Sequence, residues 1–418
     1  MTSLVDRTSA ATVLARCDAL AVCSEHPEHL DRAHLTPALA AAHRLVEPWM
    51  AEAGLRTWRD QAGNLCGRVE GREPGLPALL LGSHLDTVPD AGRYDGMLGV
   101  LLAVAVVERL RDRWADLPFA LEVVGFTDEE GSRFGSALMG SRALAGTWDD
   151  AWWDRRDADG VTLADAARAF GLDPDLVGTA ARRREDLVGY LEAHIEQGPH
   201  LEEADRSLGV VTTIAGAERF VVEVVGEARH AGGTPYARRR DALVGAAEVI
   251  TFVERTARAS GAIATVGRID VEPGAVNVVP GRAVMTLDLR AATDAERDAM
   301  RATLLAGIEE LCAARGLTVH VTTTHAAPAT PCAPWLRDAV RAGVVATGDA
   351  APIELWSRAG HDGMAVAAVT DVAMLFVRCH DGISHHPDEA VREVDVAAAL
   401  DAFTAAVLAV ADDVAARA

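Results

Sequence analysis

The sequence predicts an α/β protein: a mixed, largely parallel sheet flanked by helices, plus an inserted ferredoxin-like α+β block. Three observations predict it. Short apolar runs alternate with helical stretches through the first half of the chain. From Thr213 the pattern changes to a β-α-β-β-α-β order, the sequence of a ferredoxin-like unit. A stretch with three prolines in eight residues, 327–334, then reads as the return to the first domain. The expected domains are 1–212 with 333–418, and 213–332. A length of 418 residues agrees with more than one core, at ~150 residues per domain.

The elements follow in order. Leu, Val and Ala at three- and four-residue spacing predict helices over 10–21 and 33–50. The apolar run 78–82 predicts a strand, 97–110 a helix and 119–126 a second buried strand. In sheets of this kind the ligand crevice lies beyond the carboxyl ends of the strands. Chemistry is therefore expected just after Gly82, Phe126 and Leu191. Within the insert, strands are expected over 220–225, 262–271, 283–289 and 317–322, with helices over 241–256 and 294–315. The α/β texture resumes at 335–347, 373–377 and 394–418.

Composition excludes some functions. Forty Lys and Arg against 62 Asp and Glu leave a net charge of −22, which repels phosphate backbones and anionic membranes. Neither nucleic acid nor membrane is an expected partner. The run 98–107 reads as the longest apolar stretch and falls short of the ~20 residues that span a bilayer. The opening Met1-Thr-Ser-Leu-Val-Asp-Arg7 lacks the basic-then-apolar layout of a secretory signal. Cys17, Cys23, Cys66, Cys312, Cys332 and Cys379 show no Cys-x-x-Cys spacing and read as free thiols of a reducing cytoplasm.

Among fourteen histidines, His26, His29, His34 and His43 are expected to be surface or satisfied structural residues. His320 and His325 belong to the last strand of the insert and its exit. His84, His194, His230, His361 and His385 instead sit beside carboxylates or glycine turns. In Gly82-Ser-His-Leu-Asp-Thr-Val-Pro-Asp-Ala-Gly-Arg-Tyr-Asp-Gly96, His84 and Asp86 are two apart at a strand end and face the same way. One can ligate a metal while the other fixes the imidazole tautomer. Asp95 follows in a glycine turn; the plainer reading is a hydrogen-bonded His–Asp pair. In Thr127-Asp-Glu-Glu-Gly131, one glutamate can hold a cation and its neighbour a water, the arrangement of a general base; alone it also reads as a solvated acidic turn. His194 ends another strand in Leu191-Glu-Ala-His-Ile-Glu-Gln-Gly-Pro199. His385 lies in Gly382-Ile-Ser-His-His-Pro-Asp-Glu389. These donors suit two borderline divalent ions bridged by one carboxylate.

Taken together, the His-x-Asp segment with Asp-Gly-x-x-Gly-Val, the Glu-Glu-Gly, the Ala-His-Ile-Glu-Gln-Gly and the Gly-x-Ser-His-x-Pro-x-Glu segments resemble the M20 metallopeptidase-type amidohydrolases. Within them the likeness is to the allantoate amidohydrolase and N-carbamoyl-L-amino-acid hydrolase group. It runs nearly end to end, from His84 through Glu389, insert included. The resemblance implies that His84 and His194 complete one metal site, that Asp95 bridges to a second, and that Glu130 and His385 complete the second. It implies Glu129 as general base, Asp86 as orienter of His84 and His386 as a bystander. It also implies substrate contacts from Gln197, His230, Asn277, Arg290 and His361, with His230 assisting at the oxyanion and Arg290 clamping a carboxylate. Arg290 can equally be a salt-bridge residue and His361 a structural turn histidine. Two divalent ions per subunit are implied, zinc or manganese, with cobalt and nickel as alternatives. The first domain is then catalytic, and the insert is the lid and dimerisation domain of a homodimer.

The implied reaction is hydrolysis of a ureido or carbamoyl C–N bond in a small carboxylate, with allantoate first, releasing ammonia and CO2 in purine catabolism. An N-carbamoyl-L-amino acid is the alternative, and another N-acyl or amide substrate comes third. The reading from a different class is a catalytically silent metal- or small-molecule-binding protein. One departure bears on the substrate: Ser357-Arg-Ala-Gly-His-Asp362 carries Arg358 where the family segment has a small residue.

Overall fold

The computed structural model describes residues 6–417, so the reading of residues 1–5 and the last position of the stretch expected over 394–418 lie outside the described residues. One compact unit takes in the chain up to Thr212, Cys332–Leu355 and everything from Ala359; the other is Thr213–Pro331 with Trp356–Arg358. The sequence reading assigns 356–358 to the first domain and Cys332 to the insert. Residues 356–358 lie with the second unit, where Ala215 N–H donates to the Ser357 carbonyl. Cys332 lies with the first, its N–H donating to the Thr212 carbonyl.

In chain order the strands are β1 (Arg56–Arg59), β2 (Leu65–Val69), β3 (Ala78–His84), β4 (Ala120–Phe126), β5 (Leu187–Ile195) and β6 (Leu208–Ile214). Next come β7 (Gly216–Val225), β8 (Arg229–His230), β9 (Ile263–Thr265), β10 (Ile269–Glu272), β11 (Val278–Val279), β12 (Arg282–Ala291), β13 (Thr318–Ala327) and β14 (Thr330–Pro331). The last two are β15 (Ile353–Ser357) and β16 (Val372–Val377).

The sheet of the first unit runs β1-β2-β4-β3-β5-β16-β6. Its centre is parallel: β3 pairs with β4 and β5, and β16 with β5. Antiparallel β2 and β6 flank this centre. Strands β3, β4 and β16 are buried throughout, as covered parallel strands must be. Helix Met97–Arg109 is buried continuously from Met97 to Val107. Helix Ala10–Ala21 starts on Ser9, whose hydroxyl accepts from Thr12 N–H. The helix expected over 33–50 is Pro37–Glu52, because Leu35 adopts φ +55° and Thr36 caps a start with Pro37 in the first turn.

Helix Glu393–Arg417, though interrupted by Asp401, corrects the reading that apolar stretches fall short of spanning length. Its 25 residues are long and apolar enough, by length and composition, to cross a membrane. It packs as a core helix, with Val396, Leu400, Phe403, Val407 and Val410 buried along one side. His43 is a second correction. It is buried edge-on to Phe170, and neither ring nitrogen has a hydrogen-bond partner. His34 is buried too, but its Nδ1 lies 2.6 Å from Thr127 Oγ1. All six cysteines are unpaired.

The second unit carries an antiparallel sheet in the order β10-β12-β7-β13, with β9 also on β12. The single strand expected over 262–271 is split into β9 and β10. Between the pairs Thr265–Asp288 and Ile269–Met285, this side spends one residue more than β12, which makes a bulge. Helices Ala242–Ser260 and Asp294–Ala314 cover one face, packing Val249, Val253, Leu304 and Ile308 on Phe220, Val222 and Val224 of β7. Strand β13 is an edge, largely exposed, and β8 and β11 form a separate two-stranded ladder.

Candidate metal centre

Parallel strands deliver their last residues to one end of a sheet, and here those residues carry donors. His84 ends β3, Thr127–Gly131 follows β4, His194 is next to last in β5, and 378–389 follows β16. His84 Nδ1 is 3.0 Å from the Asp86 carbonyl and His194 Nδ1 is 2.9 Å from the Ile195 carbonyl. A carbonyl can only accept, so each Nδ1 carries the proton and each Nε2 presents a lone pair. Both Nε2 atoms face Asp95 Oδ1, at 3.7 and 3.1 Å. Asp95 Oδ2 lies 3.0 Å from His385 Nε2, which is 3.4 Å from Glu130 Oε1. Two donor groups, His84–Asp95–His194 and Asp95–Glu130–His385, thus share one carboxylate, the donor atoms of each within 4.8 Å of one another. Gly96 lets the turn close, with φ +69° and no room for a Cβ, which would stand 2.5 Å from the His84 ring.

Glu129 joins His84 and Glu130 in a further group of close donor atoms. Its main-chain N–H and that of Glu130 donate to the two Asp86 carboxylate oxygens, at 3.1 and 3.2 Å. The Asp86 carboxylate stays 3.8 Å from His84 Nδ1. Asp86 therefore orients His84 through its carbonyl, and its carboxylate shapes the Glu129-Glu130 turn instead. Burial holds the Glu129 carboxyl well above its usual range, and Glu130, Asp362 and Asp86 add to this against the pull of His84. Burial, with Asp95 nearby, pushes Glu130 up to about 7. For Asp95 burial acts upward, but the close His194, His385 and His84 imidazoles outweigh it and hold the carboxyl well below its usual range. The Asp95 hydrogen bond lifts His385 to about 9.

These residues fit divalent cations. Asp95 Oδ1 and His194 Nε2 are buried, 3.1 Å apart, and neither has a hydrogen-bond partner. Two facing lone pairs are the donors a cation needs. Asp86, Asp95 and Glu129 are buried beside His84, and a low-dielectric site holds several carboxylates ionised together only with cations among them. The mixed imidazole and carboxylate set suits zinc, manganese, cobalt and nickel alike.

The profile of Peptidase family M20/M25/M40 matches residues 80–409, which covers every donor above. The chain belongs to this family. Allantoate deiminase of Arabidopsis thaliana is 38% identical over 92% of this chain and 79% of its own length. N-carbamoyl-L-amino acid amidohydrolase of Geobacillus stearothermophilus is 41% identical over 83% and 85%. The crystal structure of an amidase of the hydantoinase/carbamoylase family from Burkholderia multivorans superposes with a TM-score of 0.88 at 33% identity, covering 96% of this chain and 98% of that one.

In this M20 chain the remaining candidates divide between the units. Gln197, at φ +55°, places Nε2 3.2 Å from Asp95 Oδ2 and 3.1 Å from Ser384 Oγ. His361 is buried, its ring edge-on to His194 with centroids 4.5 Å apart. His230, Asn277 and Arg290 belong to the second unit. There His230 Nδ1 accepts from Gly233 N–H at 2.9 Å, which leaves the ring proton on Nε2. The Asn277 carbonyl accepts from Ala231 N–H at 2.8 Å. Arg290 forks onto Asp288 at 2.7 and 3.4 Å and donates to the Arg358 carbonyl at 2.7 Å. The Arg358 guanidinium lies over the Trp356 ring, 4.8 Å from its centroid. Sequence reasoning missed Glu192, whose buried carboxylate accepts from Ser83 Oγ at 2.8 Å. Its position two residues before His194, on the same strand face, was the available signal.

Proposed function

We propose that the protein is a metal-dependent amidohydrolase that cleaves a ureido or carbamoyl C–N bond of a small carboxylate, allantoate in first place. The observation that carries this reading is the pair of donor groups joined through Asp95, with Glu129 beside His84. Relatives named for allantoate and for N-carbamoyl-L-amino acids support the substrate class, and the latter are the second reading.

His84, His194 and Asp95 would hold one ion, and Asp95, Glu130 and His385 the other. When bound, such ions supply Lewis acidity at the carbonyl oxygen and lower the pKa of water. Glu129 accepts the proton of the attacking water and returns it to the leaving nitrogen. His230 Nε2–H is set to donate to the developing oxyanion. Arg290 has five N–H groups, three of them engaged, and the other two can receive the substrate carboxylate. Gln197, Asn277 and His361 supply substrate contacts, His361 with its ring edge-on to His194. The second unit acts as lid and, through edge strand β13, as the contact of a two-fold dimer. Unpaired cysteines agree with a reducing cytoplasm.

The test is hydrolysis of allantoate and of a panel of N-carbamoyl-L-amino acids by protein stripped with a chelator and then restored with zinc or manganese. Metal-dependent ammonia release from allantoate is expected. Turnover of only the carbamoyl amino acids moves the assignment to the second reading. Two bound ions with no turnover of either class would leave a silent binder and overturn the proposal.

A further inference from the structure

We propose that Glu389 is a positioning residue that fixes Asp95 and the His385 loop against each other, and so governs retention of the ion between them. The inference rests on reading Asp95 and His385 as metal ligands. Glu389 belongs to none of the donor groups, yet it is buried at the centre of both loops. Its Oε1 accepts from Tyr94 N–H at 2.7 Å and from Asp95 N–H at 3.1 Å. Its Oε2 accepts from Ser384 Oγ–H at 2.9 Å, and Ser384 directly precedes His385. One carboxylate thereby joins the main chain of the shared ligand to a residue 289 positions away in sequence. Charge-assisted bonds to main-chain N–H groups are short and directional, so they define the loop they hold.

Two further observations require such a clamp. His385 adopts φ +55°, a left-handed backbone that a residue with a side chain keeps only where its surroundings over-determine it. Gly92 leaves space for Glu389: a Cβ there would fall on the Glu389 carboxyl. The glycine and the glutamate are thus two halves of one fit, and altering either should disturb the same ligand loops. Removing a group that orients a metal ligand typically weakens the metal about 10- to 100-fold.

The experiment measures ions bound per subunit on the full chain, titrated with zinc or manganese alone, alongside steady-state kinetics and circular dichroism. In Glu389→Ala, the ion at Asp95, Glu130 and His385 is expected to bind about 10- to 100-fold more weakly, the ion at His84, His194 and Asp95 losing less because its two imidazoles are untouched, with kcat falling more than KM rises. Glu389→Gln keeps the acceptor for both N–H groups and can donate to Ser384, so it should recover most of the lost affinity. Gly92→Ala should reproduce the Glu389→Ala defect, and it carries the test should Glu389→Ala fail to fold. Asp95→Ala and His385→Ala serve as controls. If they lose metal while Glu389→Ala binds both ions like the parent, the inference is overturned and the metal reading stands. If the controls also keep both ions, the ligand reading itself falls. Equal loss in Glu389→Gln and Glu389→Ala would rule out the hydrogen-bond clamp.

Discussion

Glu129 and Glu130 are neighbours in sequence with different tasks, and substitution separates them. Glu129→Gln keeps the shape but cannot take a proton, so turnover should fall by about two to four orders of magnitude. Bound metal should stay at the parent level, because Glu130 is the donor facing His385; elemental analysis beside kinetics checks both halves. His43 offers a prediction of another kind. Burial, with Arg59, Arg32 and Arg44 nearby, lowers its pKa from 6.5 to about 3. The folded chain keeps this ring neutral, whereas the unfolded chain protonates it below about pH 6.5. Between those values the unfolded state binds more protons, so stability is full above pH 6.5 and drains away as pH falls. At pH 5 the loss from this residue should be about 2 kcal/mol. His43→Leu should flatten the difference between urea midpoints at pH 7 and pH 5. An unchanged difference would mean that the ring is not the buried neutral base described.

At the scale of elements, the end of β16 is tied to the start of helix Glu393–Arg417 by one buried carboxylate. Asp395 accepts from Arg378 Nε at 3.0 Å and Nη2 at 2.8 Å, and from Arg392 Nε at 2.8 Å. Asp395→Ala leaves the Arg378 guanidinium with Asp205 as its remaining carboxylate, 2.9 Å from Nη1, and the loss of the charged hydrogen bonds should cost about 1.5–3 kcal/mol in denaturant unfolding. The elements that position the donors were legible where burial is uniform: β3, β4 and helix Met97–Arg109 are buried on all sides and mostly apolar, with Glu122 the charge inside β4. Strands β1 and β2 were not, because Arg56, Arg59 and Arg68 break their apolar period and the strands are only half covered. The short helices between 139 and 180 are too brief to show a 3.6-residue repeat; Trp148, Trp152, Trp153 and Phe170 hold that region together. The His-x-Asp and Glu-Glu pairs were visible because their members are adjacent in sequence. That Asp95 meets both His194 and His385 depends on β16 lying beside β5, which no local pattern encodes. The carbonyl of Asp86 was invisible for a simpler reason, since every residue has one.

At the scale of the whole molecule, the proposed two-fold pair can be tested by complementation. If His230 of one subunit completes the site of the other, mixing inactive His230→Ala with inactive Glu129→Gln should restore one good site per heterodimer. Up to about a quarter of the parent activity should return after subunit exchange; none, despite proven exchange, would place His230 in its own chain's site. The order of strands has a consequence for how the protein is made. Strand β16 fits between β5 and β6, yet it is synthesised after the whole of the second unit. While the chain leaves the ribosome, the second unit can close on itself as soon as β13 emerges, but β5 must wait for its neighbour. For that interval the nascent protein shows an unpaired, apolar strand edge, the surface on which chains pair wrongly. A messenger truncated between the codons for Ala346 and Val372 should thus yield a product that folds in its middle and aggregates at its beginning.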